Sequence, residues 1–443
     1  MPAPEGEGPD EPPARPLVEQ RLHFVTPLRR TWAPIAVLTG WLVHDVDQAQ
    51  RWAGRLTLST GALLIAGLLV ASALYGFLSW WFTHFAITDT ELRIRTGLVF
   101  RRTVHIRLDR IQAVDVNQPL LARVIGVSKL KLDVIGSQKK DELAYLGERE
   151  ARDLRAELLA RAAGLAPETA DTVGEAPSQE LVRVAPGTLV VASLLSAAVW
   201  VAVGAFLVVP AGLYLATGDV WLPISVGIPL LGWAWAAGAG RVIKEYDWTV
   251  AESPDGLRVD HGLLDRSHET VPPGRVQTVR IVEPLLWRRR DWVRVELDVA
   301  GSSDNLLLPV APRELAYAVI ARILPGVEVP ALLDPPPRRA RWCTPLWWRG
   351  YGLAVTDAVF ASRHGLLHRT LSLVPHAKVQ SVRTEQGPWQ RRHGVAHVYV
   401  ETGANGSVRA HQRDAAEATA LLFAQADRSR TGRREARPDR WMT

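Results

Sequence analysis

A single cysteine, Cys343, in a chain of 443 residues excludes an intramolecular disulfide and any cysteine-rich metal centre. The signatures of common catalytic sites are missing too. There is no phosphate-binding glycine loop, no dinucleotide glycine pattern and no Gly-x-Ser-x-Gly. His268-Glu269 is followed by Thr270-Val271-Pro272, so a zinc-binding His-Glu-x-x-His lacks its second histidine. The expectation is a protein that is not an enzyme and holds neither cofactor nor metal. Residues 1–20 lack the positive start and apolar core of a cleavable signal peptide, and their Pro, Gly and Glu content reads as a disordered tail. Membrane targeting then has to come from the body of the chain.

Charge is absent from long stretches. No charged residue occurs from Leu56 to Thr83, from Val184 to Gly218, or from Val220 to Gly240. Each run exceeds the ~20 residues that cross ~30 Å of hydrocarbon as a helix. Thr31–Val43 is shorter and interrupted by Pro34 and Gly40, and reads as the first arm of a hairpin with the second span. Four transmembrane helices in two hairpins, 31–83 and 184–240, follow. Arg183, Arg241 and Lys244 flank the second hairpin on the side opposite its ATGDVW connection, which has no Lys or Arg; Arg21, Arg29, Arg30, Arg93, Arg95, Arg101 and Arg102 outweigh Arg51 and Arg55 at the first. Positive residues stay inside, so both termini and every long polar segment are expected in the cytoplasm of a multi-pass plasma-membrane protein. Trp80, Trp81, Trp221, Trp233 and Trp235 fall where interfacial anchors sit.

The net charge of +6 and pI near 9.6 suit nucleic acid or an anionic membrane surface. The arginine-rich end, 427–443, is diluted by Asp427, Glu435 and Asp439 and has no interleaved stacking aromatics, which favours a disordered tail drawn to the inner leaflet over a nucleic-acid arm.

Between the apolar runs the chain repeats itself. Gly97, Gly262 and Gly365 each open Gly-Leu-Val/Leu, and four residues on stand Arg101, Arg266 and Arg369. Arg110, Arg275 or Lys378 comes thirteen on, Gln112, Gln277 or Gln380 fifteen on, and Val114, Val279 or Val382 seventeen on. Pro119, Pro284 and Pro388 follow, then Gly126, Asp291 and Gly394, then Asp133, Asp298 and Glu401. This is an internal repeat in three copies. Each alternates like a half-buried strand, as in Val293-Arg294-Val295-Glu296-Leu297, passes a turn at GSQKKD, GSSDN or GANG, and closes on an amphipathic helix. The repeated glutamine is expected to satisfy backbone groups at a strand bend, and the glycine to supply a backbone angle that other residues avoid.

The stretches FAITDTELRIRTGLVFRRTVHIRLDRIQAVDVNQPLLARVIGV and VPHAKVQSVRTEQGPWQRRHGVAHVYVET resemble the bacterial pleckstrin-homology-like proteins of the membrane-flanked domain family, in their long form with three such domains. The resemblance implies an α+β membrane protein of curled antiparallel sheets, each capped by a C-terminal helix, with no catalytic residue supplied. The expected order is PH-like domain 1 at 84–162, a linker at 163–182, hairpin 2, PH-like domain 2 at 241–325, a Pro/Arg linker at 326–345, PH-like domain 3 at 346–426, and the basic tail.

Arg101, Arg102, Arg107 and Arg110 cluster in the first copy, and with Arg266, Arg275, Arg369 and Lys378 they are the candidates for contact with anionic lipid headgroups. Arg288–Arg290, Arg391 and Arg392 follow the repeated proline and could serve likewise. The histidines of the third copy, His364, His368, His376, His393, His397 and His411, read as solvated or pairing residues on surface strands and turns. The function expected is a binding or scaffold module at the inner leaflet with anionic lipids and a membrane protein as partners, compatible with a part in envelope stress tolerance. The alternative is a small multispan transporter or channel component.

Overall fold

The computed structural model describes residues 20–21, scattered positions between 67 and 82, and 84–88, 91–96, 102–107, 111–134, 141–162, 179–253, 256–271, 273–299, 306–403 and 406–435. The chain divides into two compact units, 1–114 with 121–174, and 115–120 with 175–443.

In the first unit β1 (Gln20–Arg21) pairs antiparallel with β2 (His84–Ile87), followed by β3 (Glu91–Thr96) and β4 (Arg102–Arg107). After β5 (Ile111–Pro119) and the short helix α1 (Leu120–Ile125), β6 (Val127–Val134) and β7 (Asp141–Gly147) form a hairpin under α2 (Glu148–Ala162). Leu130, Leu132, Leu154 and Leu158 are buried there, as their alternating and helical spacings predict. The first expected hairpin, 31–83, lies outside the described residues apart from scattered helical positions.

The second unit holds copies two and three. Its sheet begins with β8 (Gln179–Arg183), inside the segment expected as a linker, and β8 pairs with β9 (Thr249–Ser253), on the far side of the apolar helices. The hairpin is thus inserted between two neighbouring strands of the PH-like unit; β1 and β2, either side of the first apolar region, stand in the same relation. The uncharged run from Val184 is broken at Leu195–Ser196 into α3 (Pro186–Leu194) and α4 (Ala197–Thr217). Only α4 and α5 (Trp221–Lys244) are long and apolar enough, among the described residues, to cross a membrane, so two spans stand where four were expected along the whole chain. Only 11% of the residues in the most apolar stretch of each are buried, and Trp200, Leu215, Trp221 and Ile228 are exposed. Soluble proteins rarely leave so much contiguous apolar surface bare. The two helices pack against each other at Gly227 and Pro210, where even a Cβ on Gly227 would make an ordinary contact, 3.5 Å from Cγ of Pro210.

Beyond the helices, β9, β10 (Gly256–His261) and β11 (Asp265–Val271) complete the first sheet of copy two. Its second sheet is β12 (Val276–Pro284), β13 (Trp292–Val299) and β14 (Leu306–Pro312), crossed by α6 (Arg313–Ile323). Val293, Val295 and Leu297 point into the core against Ala316, Val319, Ile320 and Ile323 of α6, each buried aliphatic contributing about 1.5–3 kcal/mol. Copy three repeats this with β15 (Gly352–Val355), β16 (Val359–His364) and β17 (His368–Pro375), then β18 (Val379–Glu385), α7 (Pro388–Arg392), β19 (Val395–Thr402), β20 (Ser407–Asp414) and α8 (Ala415–Glu435). The copies share a sheet, β14–β13–β12–β17–β16–β15, because β12 accepts β17 along its open side. Within this unit residues 116–119 pair with Asp265–His268 in the same register that joins Ile281–Pro284 to His368–Leu371.

The repeated residues build this framework. The ladder shifts register between Val276 and Thr278 and between Val379 and Ser381, so Gln277 and Gln380 sit at β-bulges. Nε2 of Gln277 donates to the carbonyl of Arg275, 3.3 Å away, as a strand-bend role requires. Gly262 and Gly365 have φ of +107° and +92°, and a Cβ would collide with the carbonyl oxygens of Asp265 and His368.

α8 runs to Glu435, nine residues into the expected tail. Towards its end Gln425 is buried against Nδ1 of His376, with Ser429 of the extension bonded to Gln425, and Nε2 of His376 meets the carbonyl of Thr356 at 2.9 Å. His376 is therefore a buried structural residue, not a solvated one.

Candidate functional site

Equivalent places in copies two and three share one edge, at the polar end of the apolar hairpin. In copy two the backbone N–H of Gly262 donates to the carbonyl of Tyr246 (2.8 Å) and that of Leu263 to Ile243 (3.1 Å), so the Gly-Leu-Leu turn between β10 and β11 caps the polar end of α5. The side chains of Leu263 and Leu264 remain exposed beside that end. The turn after β12 lies at the same edge: Leu285 and Leu286 are exposed, and Nε1 of Trp287 donates to the carbonyl of Ala192 in α3, 3.0 Å away. Arg289 and Arg290 are exposed next to them.

In copy three Asp334 bridges to Leu353 as Val182 of β8 pairs with Val250 of β9, and Leu353 stands 103 residues after Val250, the spacing of the repeat. Between the paired positions copy two carries its apolar hairpin. Copy three carries instead the short segment 335–351, two 3-10 turns (Arg338–Trp342 and Trp348–Gly350) in Pro-Arg-Arg-Ala-Arg-Trp-Cys-Thr-Pro-Leu-Trp-Trp-Arg-Gly. Its end meets the next Gly-Leu-Leu turn as α5 meets the previous one: a Cβ on Gly350 would stand 2.3 Å from the carbonyl oxygen of Gly365.

This segment turns its large apolar groups outward. Trp342, Leu346 and Trp347 are exposed, as are Leu367 in the adjoining turn and Trp389 in α7, whose Nε1 donates to the carbonyl of Trp342 at 3.1 Å. Guanidinium groups flank the rings: Arg341 lies 5.1 Å from the Trp342 ring centre, Arg349 5.6 Å from Trp348, and Arg392 5.8 Å from Trp389. Tryptophan with an apolar body and polar edge, alternating with arginine, is the composition of membrane interfaces. Cys343 lies within the segment, its thiol pushed up by burial.

The headgroup candidates do not converge on this edge. Arg266 and Arg369 do stand just past the leucine turns, Arg266 at 3.7 Å from Asp247 and Arg369 at 3.8 Å from Glu283. Arg275 and Lys378 lie at the far ends of β11 and β17, about 20 Å along at ~3.3 Å per residue, and Nζ of Lys378 donates to the carbonyl of Gly274 at 2.5 Å. Arg107 is exposed on β4 of the first unit; Arg101 and Arg110, with the side chain of Arg102, lie outside the described residues. The tryptophan-arginine segment straddles the boundary expected at 345–346 between the Pro/Arg linker and PH-like domain 3, and the sequence alone assigns it no role. Three tryptophans in the seven residues from Trp342 to Trp348, at the point where a hairpin is due, were the available signal.

His364, His397 and His411 gather with Tyr351, whose ring stacks on His411 at 4.4 Å. Burial and then Arg409 push His397 down to about 4, and burial and then His397 push His411 down to about 3. Among the described residues no group of histidine, cysteine and carboxylate side chains is placed to hold a metal.

Three stretches of the chain, 38–162, 184–327 and 315–428, match the bacterial PH domain family. The second contains the hairpin and the third the tryptophan-arginine segment, so both insertions fall inside the family's unit. The UPF0699 transmembrane protein YdbT of Bacillus subtilis (strain 168) is similar, 22% identical over 272 residues, which make up 55% of this chain and 55% of that one. Its name and the two exposed apolar helices agree on membrane association. Matched three times over most of its length, the chain belongs to the bacterial PH domain family.

Proposed function

We propose that the protein is a multi-pass plasma-membrane scaffold whose PH-like units lie on the cytoplasmic leaflet, held there by hairpins and, in the third copy, by an interfacial tryptophan-arginine anchor. The observation that carries the reading is the substitution of residues 335–351 for a hairpin at the same strand junction. A segment with exposed Trp342, Leu346 and Trp347 buries them in the headgroup region, and each of Arg338, Arg341 and Arg349 adds about 1 kcal/mol near an anionic leaflet, while Arg339 is paired with Asp414. Arg183, Arg241 and Lys244 at the polar end of the hairpin favour the cytoplasm for this face. Held flat in this way, the sheets away from the bilayer are free to gather other membrane proteins.

Photo-crosslinking in cells from position 346 tests the reading. Phospholipid adducts at that position are expected, with protein adducts from exposed positions on β18. Adducts to neither lipid nor protein, or a tag after Glu435 labelled from outside the cell, would contradict it.

A further inference from the structure

At the junction of copies two and three the shared sheet faces α6 and residues 329–333 across a cavity of 340 Å³. Ile281, Val329 and Leu371 give it apolar walls, while Arg313, Arg363 and Arg369 line it together with one carboxylate, Glu283. Glu283 is already engaged: it pairs with Arg313 and lies 3.6 Å from Nε of Arg288 and 3.8 Å from Arg369. Arg363 is different. Among the described residues it has no carboxylate within ion-pair distance, and its Nε is buried without a hydrogen-bond partner. Burial, followed by the field of Arg369, holds Arg363 below the ordinary arginine range, and burial followed by the same neighbour does so for Arg288. Three arginines against one glutamate leave the cavity two positive charges in excess, the charge of a phosphate monoester dianion.

We propose that this cavity binds an organic phosphate with an apolar body, its oxygens held by Arg363 and Arg369 and its hydrocarbon laid on Ile281, Val329 and Leu371. The guanidinium fork matches phosphate oxygens two at a time, and few convergent polar groups in an apolar recess are what orient such a ligand. The cavity also lies close to the leucine edge. Nη2 of Arg288, beside Glu283, donates to the carbonyl of Leu366 in the copy-three turn, 2.6 Å away. A phospholipid drawn from the bilayer is one source and a soluble phosphate ester the other; the first rests on the docking reading, whereas the chemistry of the cavity does not.

The test uses the full chain in nanodiscs of phosphatidylcholine alone, titrated calorimetrically with dihexanoyl phosphatidic acid, hexyl phosphate, inorganic phosphate and dihexanoyl phosphatidylcholine. Saturable binding of the first two, at least about tenfold tighter than inorganic phosphate and absent for phosphatidylcholine, is expected. Phosphatidic acid tighter than hexyl phosphate identifies the bilayer as source, and equal affinities identify a soluble ester. Arg363→Gln should weaken binding at least about tenfold and Arg363→Lys less, with hydrogen exchange of β16 and β17 unchanged, while Arg322→Gln, outside the cavity and paired with Glu252 at the surface, leaves binding as it was. Equal affinity in wild type and R363Q, or inorganic phosphate binding as tightly as the esters, overturns the proposal. Neither result depends on whether residues 335–351 enter a bilayer.

Discussion

Copies two and three are the same unit under different cover. Copy two is enclosed on both sides: its first sheet carries the hairpin, and the edge of β12 is covered by β17. In copy three, among the described residues, the outer edge of β18 has no partner strand. That strand is exposed from Gln380 to Glu385 save for a half-buried Val382, and Thr384 and Glu385 stand where copy two has Ile281 and Val282. Charges along an open edge discourage further pairing. The longer α8 belongs to the same solution, covering the start of β18, where Arg433 donates to the carbonyl of Val379 at 2.5 Å. The lesson is that position in the array, more than the repeated motif, decides which residues are core and which are surface.

That comparison can be broken most sharply at tryptophan. Trp287→Ala removes a side chain 1% exposed and hydrogen-bonded to α3, and should cost about 3–5 kcal/mol. Trp389→Ala, after the corresponding proline in copy three, should stay within about 0.5 kcal/mol and weaken bilayer contact instead. Hydrogen exchange, which reads the opening of each sheet separately, measures both. Next come the glycines that the copies hold in common: Gly262→Ala and Gly365→Ala should each cost roughly 3 kcal/mol, because the added Cβ meets a backbone oxygen in both turns. Unequal costs would mean that the turns are not equivalent.

The cross-strand ion pairs should give a smaller contrast. Arg280 and Asp298 lie 2.5 Å apart with the carboxylate 10% exposed, under the Gly403–Gly406 turn of copy three; Arg383 and Glu401, the matching pair, lie 2.8 Å apart in the open. Burial raises the Asp298 carboxyl, with Arg280 opposing it. Arg280→Ala should cost about 2 kcal/mol by stranding that carboxylate, and Arg383→Ala less than about 0.5 kcal/mol. The least effect is that of pH. His397 and His411 are depressed in the fold and return to ordinary values on unfolding, so below about pH 6.5 the unfolded chain takes up protons that the folded one refuses. Copy three should lose about 1–2 kcal/mol between pH 6.5 and 5.5, while copy two, with Arg294 and Leu308 at those positions, has no such loss there. Denaturant transitions followed by exchange in β13 and β19 provide the check.

Much of the unit was legible because its signals are local. The alternation of residues 293–299 and the turn glycines obey short-range rules, and the structure has φ of +107° and +92° at Gly262 and Gly365; the left-handed backbone shared by Gly126, Asp291 and Gly394 was visible only as a repeated position. Non-local features were not legible. β8 is five residues long and finds β9 only across the hairpin, so nothing within Gln-Glu-Leu-Val-Arg marks its partner. The end of α8 buries Gln425 and Ser429, polar residues that break any apolar period. The tryptophan-arginine segment was hidden for a related reason: its meaning comes from what occupies the same place in another copy.

The sole cysteine allows the central claim to be measured directly. With a spin label on Cys343 and the full chain in vesicles containing phosphatidylglycerol, the label should be shielded from a water-soluble relaxant and accessible to oxygen dissolved in the bilayer, placing residues 338–350 at headgroup depth. Equal exposure to the aqueous relaxant in vesicles and in detergent micelles would show that the third copy stands clear of the membrane, and would contradict the account.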